Sequence, residues 1–546
     1  VEYNLADLFE HSVDHFGDRP YLIADGEQRT YAEMEARANA LAHHLQAQGV
    51  GPGDHVGIYG YNSVFWVEAL WAIFKLRATW ININYRYVED ELAYLFGNAD
   101  LKALLFQREF APRVKNVMQH LPLLEHLVLI EDGSDTDLAG LEAVGLEEAV
   151  AGGSPERDFA PRSADDRYIL YTGGTTGMPK GVVWRHEDVF MALGGGVDAI
   201  SGQRVQSPQE LVQRSLDNGG NGTSFFPIAP LMHGATQWGV MGQSFQGNKV
   251  TLVAKFDAAE TWRLVGENGV NVVMITGDAM ARPLADELEA NPDKYDLSTL
   301  LSISSSAATF SPAVKDKLFD LLPNLFITDS IGSSESGANG TALVTKGNTA
   351  MKGGPTVTRG ADAVVLDEDL NEMEPGTGKM GKVARKGNIP LEYYKDPEKS
   401  AETFLTGPDG TRYSMPGDFA ILEDDGNITL LGRGSVSINS GGEKIFPEEV
   451  ESAVKSHPAI FDCTVVGVPD ERWGSRVAAV VQVRDEAELP TIEDVQEHCR
   501  TKIAGYKVPR ELHQVEQIQR SPSGKPDYRW AKAVATGESV DENAAP

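Results

Sequence analysis

Three threonines, four glycines and one lysine fall within the ten residues Thr172-Gly173-Gly174-Thr175-Thr176-Gly177-Met178-Pro179-Lys180-Gly181. Glycines let successive backbone N–H groups turn toward one anion, threonine hydroxyls add donors, and lysine brings positive charge. The composition therefore describes a cradle for phosphate. It is not a Walker A loop, because that motif ends in adjacent Gly-Lys-Ser/Thr and here Met178-Pro179 separate Gly177 from Lys180. The apolar run Tyr168-Ile169-Leu170-Tyr171 reads as a strand feeding directly into the loop. No Gly-x-Ser-x-Gly elbow is present, and neither cysteine has a catalytic setting.

Tyr171 to Gly181 resembles the signature loop of the adenylate-forming superfamily of acyl-CoA synthetases, luciferases and nonribosomal adenylation domains. The resemblance runs in order from about Leu5 to Lys532. Its finer pattern, Gly181-Val182-Val183-Trp184-Arg185-His186 with a long insertion at 201–222, is similar to actinobacterial fatty-acyl and steroid side-chain CoA ligases. The resemblance implies an α/β fold: a large N-terminal domain of helix-flanked sheets with a small barrel-like subdomain (1–432), then a small mobile C-terminal α+β domain (433–546). It also implies ATP, Mg²⁺ and CoA, a carboxylic acid as substrate, and an acyl-adenylate between two half-reactions. An adenylating enzyme with another acceptor, such as a carrier protein or oxygen, and a non-catalytic acyl-binding protein are the alternatives.

Residue by residue, the resemblance assigns Thr172, Gly173, Gly174, Thr175, Thr176, Gly177 and Lys180 to the phosphates, with Thr175 and Lys180 acting in catalysis. Ser306, Ala307 and Ala308 stand where relatives carry a Gly-rich segment beside the adenine. In Asp329-Ser330-Ile331-Gly332-Ser333-Ser334-Glu335, Glu335 would hold Mg²⁺, Ser334 keeps a hydroxyl, and Asp329, Ile331 and Gly332 border the base, Ile331 replacing an aromatic. Asp418, after Gly417, would accept the ribose hydroxyls, and Arg433 would reach the same sugar. Gly441 and Gly442 match a loop lining the pantetheine tunnel, and Lys525 would bridge the substrate carboxylate and the α-phosphate. Val436 takes the usual hinge position and Pro526 replaces an aliphatic residue. His233 either positions the carboxylate or packs in the acyl-pocket wall. Phe226 and Trp238 are wall candidates, as is Ile275-Thr276-Gly277-Asp278, which departs from the family's Val-Pro-Thr.

The elements that must position these residues follow from hydrophobic periodicity. Helices are expected over Leu5 to Phe16, Tyr31 to Gln48 (capped by Thr30), Val64 to Lys75, Glu89 to Phe96, Thr261 to Asn268 and Ala279 to Ala290. Strands are expected at Tyr21–Ile23, Val56–Tyr59, Thr79–Asn82, Val250–Val253 and Val272–Ile275. Such alternation argues for parallel sheets covered by helices. Residues 201–222, rich in Gln, Ser, Asn and Gly, read as a surface loop. Beyond Arg433 a second texture begins, with strands at Thr464–Val468 and Val477–Val483 and helices at Glu448–Ser456 and Ile492–Ile503. The acidic tail from Gly537 is expected to be disordered.

Composition sets the outer limits. The 546 residues carry 48 Lys+Arg against 80 Asp+Glu, a formal charge of −32 that argues against binding a nucleic-acid backbone. Residues 499–532 reverse the balance around Lys525, with eight basic side chains against three acidic. Two cysteines, Cys463 and Cys499, exclude a disulfide scaffold and suit a reducing, cytoplasmic setting. The apolar run Val64 to Leu76 is interrupted by Glu68 and Lys75, so no transmembrane segment is expected, and the N-terminus has no signal-peptide pattern. Peripheral membrane contact stays open, as does the oligomeric state.

Overall fold

The computed structural model describes residues 2–538 except 120, 139, 175–176, 199–201, 218–221, 350–353, 441–442, 471–473, 486 and 521–523. The tail expected to be disordered lies mostly outside them. The chain forms two compact units, one of Val1–Met274, Asp293–Leu300 and Asn388–Phe404, the other of Ile275–Pro292, Leu301–Gly387 and Leu405–Pro546.

In the first unit the helix Val64–Lys75 is apolar on nearly every side and eleven of its residues are buried, as a helix without a polar face must be. The Phe9 and Trp71 rings stack at 4.3 Å within the same core. The two charges that break its apolar run are both paired: Lys75 lies 2.6 Å from Glu10 and 2.7 Å from Glu35, and Glu68 takes Arg37 at 2.6 Å. An eight-stranded sheet runs in the order Glu392–Tyr393, Gly177–Arg185, Arg167–Gly174, Thr79–Asn82, His55–Tyr59, Leu101–Gln107, His126–Ile130, Val144–Gly145. Its pairings are parallel from Arg167–Gly174 onward, while Gly177–Arg185 returns antiparallel. A further group in this unit pairs Pro20–Ala24, Lys249–Leu252, Ser224–Pro227 and Val272–Ile275 in parallel. The alternation expected from the sequence is thus present as parallel sheet.

One expectation is corrected. The 201–222 stretch is not simply a loop: Pro208–Asp217 is a ten-residue helix. Leu211 and Val212 are buried, and Ser215 accepts from Arg19 at 2.9 Å. Two adjacent apolar residues suffice to seat a short helix, but they give too little periodicity to stand out among Gln and Ser.

In the second unit, Ser302–Ser306 pairs in parallel with Phe326–Ser333, which turns back antiparallel into Gly337–Val344. Thr356–Arg359, Ile428–Arg433, Asp418–Leu422 and Met380–Lys386 continue this antiparallel run. The Ile428–Arg433 strand is followed by a short turn, Gly434–Val436. Farther along, Ile460–Asp470, Gly474–Val483 and Glu511–Val515 form a three-stranded sheet. The helices Pro447–Lys455, Ile492–Arg500 and Tyr528–Thr536 supply buried residues to the cores on it. Ile460–Asp470 is more than twice as long as its sequence pattern suggested, and Pro469 near its end is tolerated because this strand is an edge. Both cysteines are free and buried, and burial raises both thiol pKa values, Cys499 to about 11. They are packing residues.

Candidate active site

Within the first unit, the Thr- and Gly-rich motif from Thr172 to Gly181 lies in a hairpin. Tyr171 pairs with Gly181, Thr172 with Lys180 and Gly174 with Gly177, so the strand extends further into the motif than its apolar run implied. Thr175 and Thr176 lie outside the described residues, and Gly173, Gly174 and Gly177 are placed by backbone alone. Gly181 is required by contact, since a Cβ there would sit 2.8 Å from Ile169 and 2.9 Å from the Tyr171 ring. Lys180 pairs with Asp396, which also caps the following helix by accepting from the Lys399 amide at 3.0 Å. The Lys180 ammonium holds the Asp396 carboxyl below the usual carboxylate range.

His233 precedes the helix Gly234–Ser244 without capping it. Trp238, on that helix, donates to the Tyr168 hydroxyl at 3.1 Å, and Phe226 has no exposed surface. Both aromatics are built into the core.

Within the second unit, Ser306, Ala307 and Ala308 close the Ser302–Ser306 strand. Ala307 has φ +69°, a left-handed backbone that favours glycine. The bend belonging to a Gly-rich segment therefore survives without the glycine. The Ser306 hydroxyl is buried without a hydrogen-bond partner among the described residues, which fits a site completed by a ligand. Asp329 is engaged by Lys315 at 2.6 Å, both nearly buried; burial pushes the carboxyl up and Lys315 pulls it partly back. Ile331 packs with Val357, Val365, Val383 and Ile428 and keeps 8% of its surface.

Glu335 sits in the tight turn between Phe326–Ser333 and Gly337–Val344, beside Ser334, and its carbonyl accepts from Ser414 at 2.5 Å. Gly332 makes this turn feasible, because a Cβ there would lie 2.3 Å from the Gly337 carbonyl oxygen. Asp418 and Arg433, fifteen residues apart, are cross-strand partners joined at 3.1 Å. Lys525 keeps solvent-accessible surface yet is crowded by protein. That crowding and the Arg433 guanidinium lower its pKa, opposed by Glu335 and Asp418. Lys525, Glu335, Asp418 and Arg433, spread over 190 positions of sequence, therefore share one electrostatic neighbourhood. Gly441 and Gly442, between the paired strands Ile438–Ser440 and Glu443–Ile445, lie outside the described residues.

Among the described residues no cluster of three or more His, Cys, Asp or Glu could cage a metal. Glu335 suits Mg²⁺ nevertheless, because that ion takes one or two carboxylates and completes its shell with phosphate and water. Lys315, Asp396 and Lys455 were not singled out by motif; each meets its partner through the fold, with no local signature, and Asp278 was picked out only as the end of a candidate pocket-wall stretch.

A family model for the AMP-binding enzyme matches residues 9–394, and one for the AMP-binding enzyme C-terminal domain matches 449–525. The chain is 54% identical to a 3-oxocholest-4-en-26-oate–CoA ligase of Rhodococcus rhodochrous, over 99% of this chain and 97% of that protein. It is 51% identical to a medium/long-chain-fatty-acid–CoA/3-oxocholest-4-en-26-oate–CoA ligase of Mycobacterium marinum, over 99% and 98%. Among solved structures, an anthranilate CoA ligase, AuaEII, in complex with anthranoyl-AMP superposes with a TM-score of 0.84 at 22% identity, covering 98% of each chain. That likeness is one of fold. The sequence matches carry the kinship: the chain belongs to the AMP-binding enzyme family.

Proposed function

We propose that the protein is an ATP-dependent, AMP-forming acyl-CoA ligase that activates a hydrophobic carboxylic acid, a fatty acid or a steroid bearing a side-chain carboxylate. The observation that carries this reading is the shared neighbourhood of Lys525, Glu335, Asp418 and Arg433 in a chain whose relatives are named as ligases of such acids.

In the first half-reaction a substrate carboxylate oxygen bonds to the α-phosphorus of ATP and pyrophosphate leaves. The Thr172–Lys180 hairpin takes the phosphate oxygens through backbone N–H groups and hydroxyls. Lys525 neutralises charge between the carboxylate and the α-phosphate, a role that needs a cation held in place before the reaction. Asp418 accepts the ribose hydroxyls, with Arg433 fixing its carboxylate. Mg²⁺, held by Glu335, would neutralise charge on the phosphate oxygens. In the second half-reaction the CoA thiolate attacks the acyl carbon and AMP leaves. For that step residues 433–546 would move as a body, withdrawing Lys525 and presenting the Gly441-Gly442 loop. ATP and CoA requirements put the enzyme in the cytoplasm, with peripheral membrane contact serving substrates that partition into bilayers.

Pyrophosphate release over a panel of short, medium and long fatty acids and steroid acids, with and without CoA, tests the reading. Release with thioester formation is expected for the longer and steroid acids. Release with no CoA thioester would move the acceptor elsewhere, and tight acid binding with no release would leave only a binding protein.

A further inference from the structure

The departure from the family pattern at Gly277-Asp278 has a structural counterpart. Gly277 adopts φ +57° and packs so closely that a Cβ would lie 2.4 Å from the Thr309 carbonyl oxygen. Its amide donates to Ser305 Oγ at 3.1 Å. This seats Asp278, 4% exposed, at the start of the helix Asp278–Ala290, where its Oδ1 accepts from the Ser311 amide at 2.8 Å. Its Oδ2 faces Arg282 on the same helix at 3.5 Å and Lys455, the last residue of the helix Pro447–Lys455, at 3.2 Å. Asp278 thus ties the strand end carrying Ser306 and Ala307 to a helix of the C-terminal region.

The link continues to the arm bearing Lys525. Lys455 acts electrostatically on Glu451 and Asp462, and Asp462 is gripped by Arg520 through two bonds of 2.7 Å. Arg520 in turn donates to the Gly524 carbonyl at 3.0 Å, one residue before Lys525. Gly524, at φ +75°, lies directly on the Thr276–Ala279 segment: a Cβ would meet Thr276 Oγ1 at 3.1 Å and Ala279 Cβ at 3.3 Å. The backbone of the Lys525 arm therefore rests on the turn whose next side chain holds Lys455.

We propose that Asp278 is a positioning residue for Lys525, acting through Lys455 and the Asp462–Arg520 pair to hold the arm for acyl-adenylate formation and not for thioester formation. The inference deepens the ligase reading and rests on it. A buried carboxylate facing two cations is a contact worth breaking only if the second half-reaction needs another arrangement of the same helix.

The test uses the full-length protein with Asp278→Asn, which keeps the shape and removes the charge, and with Asp278→Asn combined with Lys455→Met, which leaves no stranded ammonium at the pair. Acyl-adenylate formation should fall at least tenfold in both. Thioester formation from supplied acyl-adenylate should stay within twofold of the parent. In a Lys525→Ala background, Asp278→Asn should cost adenylation nothing further. Amide hydrogen exchange without ligands should quicken at 276–280 and 524–527 and stay unchanged in the Ile460–Asp470 and Gly474–Val483 strands. Equal loss of both half-reactions, an additive loss with Lys525→Ala, or unchanged exchange at 524–527 would overturn the inference. The exchange readout needs no turnover, so a parent protein that releases no pyrophosphate with any acid would defeat the ligase reading while the exchange still decides whether Asp278 holds the arm.

Discussion

Two buried ionic clusters do different work. In the first unit Lys75 lies between Glu10 and Glu35, and these carboxylates also take Arg162 at 2.6 Å and Arg157 at 2.8 Å. Every buried charge there is answered, and the helix carrying Lys75 is packed into an apolar core. In the second unit one carboxylate, Asp278, faces two cations, and the elements it joins are a strand-end turn and a helix beside the Lys525 arm. Burial does not separate the two cases, and the contacts of the first, 2.6–2.8 Å, are shorter than the 3.2 and 3.5 Å of the second. The difference lies in what each pair connects: the first staples elements that have one arrangement, the second joins parts for which the proposed mechanism requires two.

The largest effect should come from breaking the closed cluster. Lys75→Met takes the shared buried cation from Glu10 and Glu35, leaving them Arg162 and Arg157, and should destabilise the fold by about 3 kcal/mol, the lower end of the cost of breaking a buried ion pair. Loss of soluble protein or a large drop in Tm is the expected result; an unchanged Tm would mean the cluster is no staple. Lys525→Ala should behave in the opposite way, lowering acyl-adenylate formation by roughly 10²–10³-fold, the usual cost of losing one preorganised charge donor, with Tm unchanged. Thioester formation from supplied acyl-adenylate should survive, and equal loss of both steps would erase the contrast. Gly432→Ala is smaller. At φ +132°, with a built Cβ 2.5 Å from Glu448 Oε2, it should cost about 1–3 kcal/mol of strain, read as a lower denaturation midpoint.

These expectations also mark what the sequence disclosed. The helices Leu5–Phe16 and Val64–Lys75 and the strands Thr79–Asn82 and Val272–Ile275 end where their periodicity ends. Thr30 caps its helix as expected, with Glu33 completing a capping box. Such features are local, and local pattern is what a sequence displays. Asp418 and Arg433 are named together only through the family resemblance, which sends both to one sugar; their pairing across adjacent strands is a finding of the fold. Lys180 with Asp396, 216 positions apart, could not be named together. Nor could Asp278 with Lys455, where the only trace was a departure from a familiar motif. The Pro208–Asp217 helix escaped because Leu211 and Val212 are a small apolar face in a polar stretch.

The subtlest test concerns Glu448, at the start of the helix Pro447–Lys455. Its Oε2 is buried without a hydrogen-bond partner among the described residues and abuts Gly432. Burial first, then Glu451 one turn along and Asp418 on the facing strand, push its carboxyl up to about 8, although the Arg433 amide pulls the other way. Folding therefore favours the protonated acid. The stability this contributes is complete below the ordinary glutamate pKa and is lost as pH rises toward 8, because over that window the unfolded chain has already released the proton. Glu448→Gln mimics the protonated form and should remove this slope, leaving the variant more stable than the parent at pH 8 by on the order of 1–3 kcal/mol, the scale for a buried group left unsatisfied. Denaturation midpoints at pH 5, 6.5 and 8 decide it. Parallel profiles for parent and variant would place Glu448 in water, and its contact with Gly432 would then carry no weight at the joint beside Arg433.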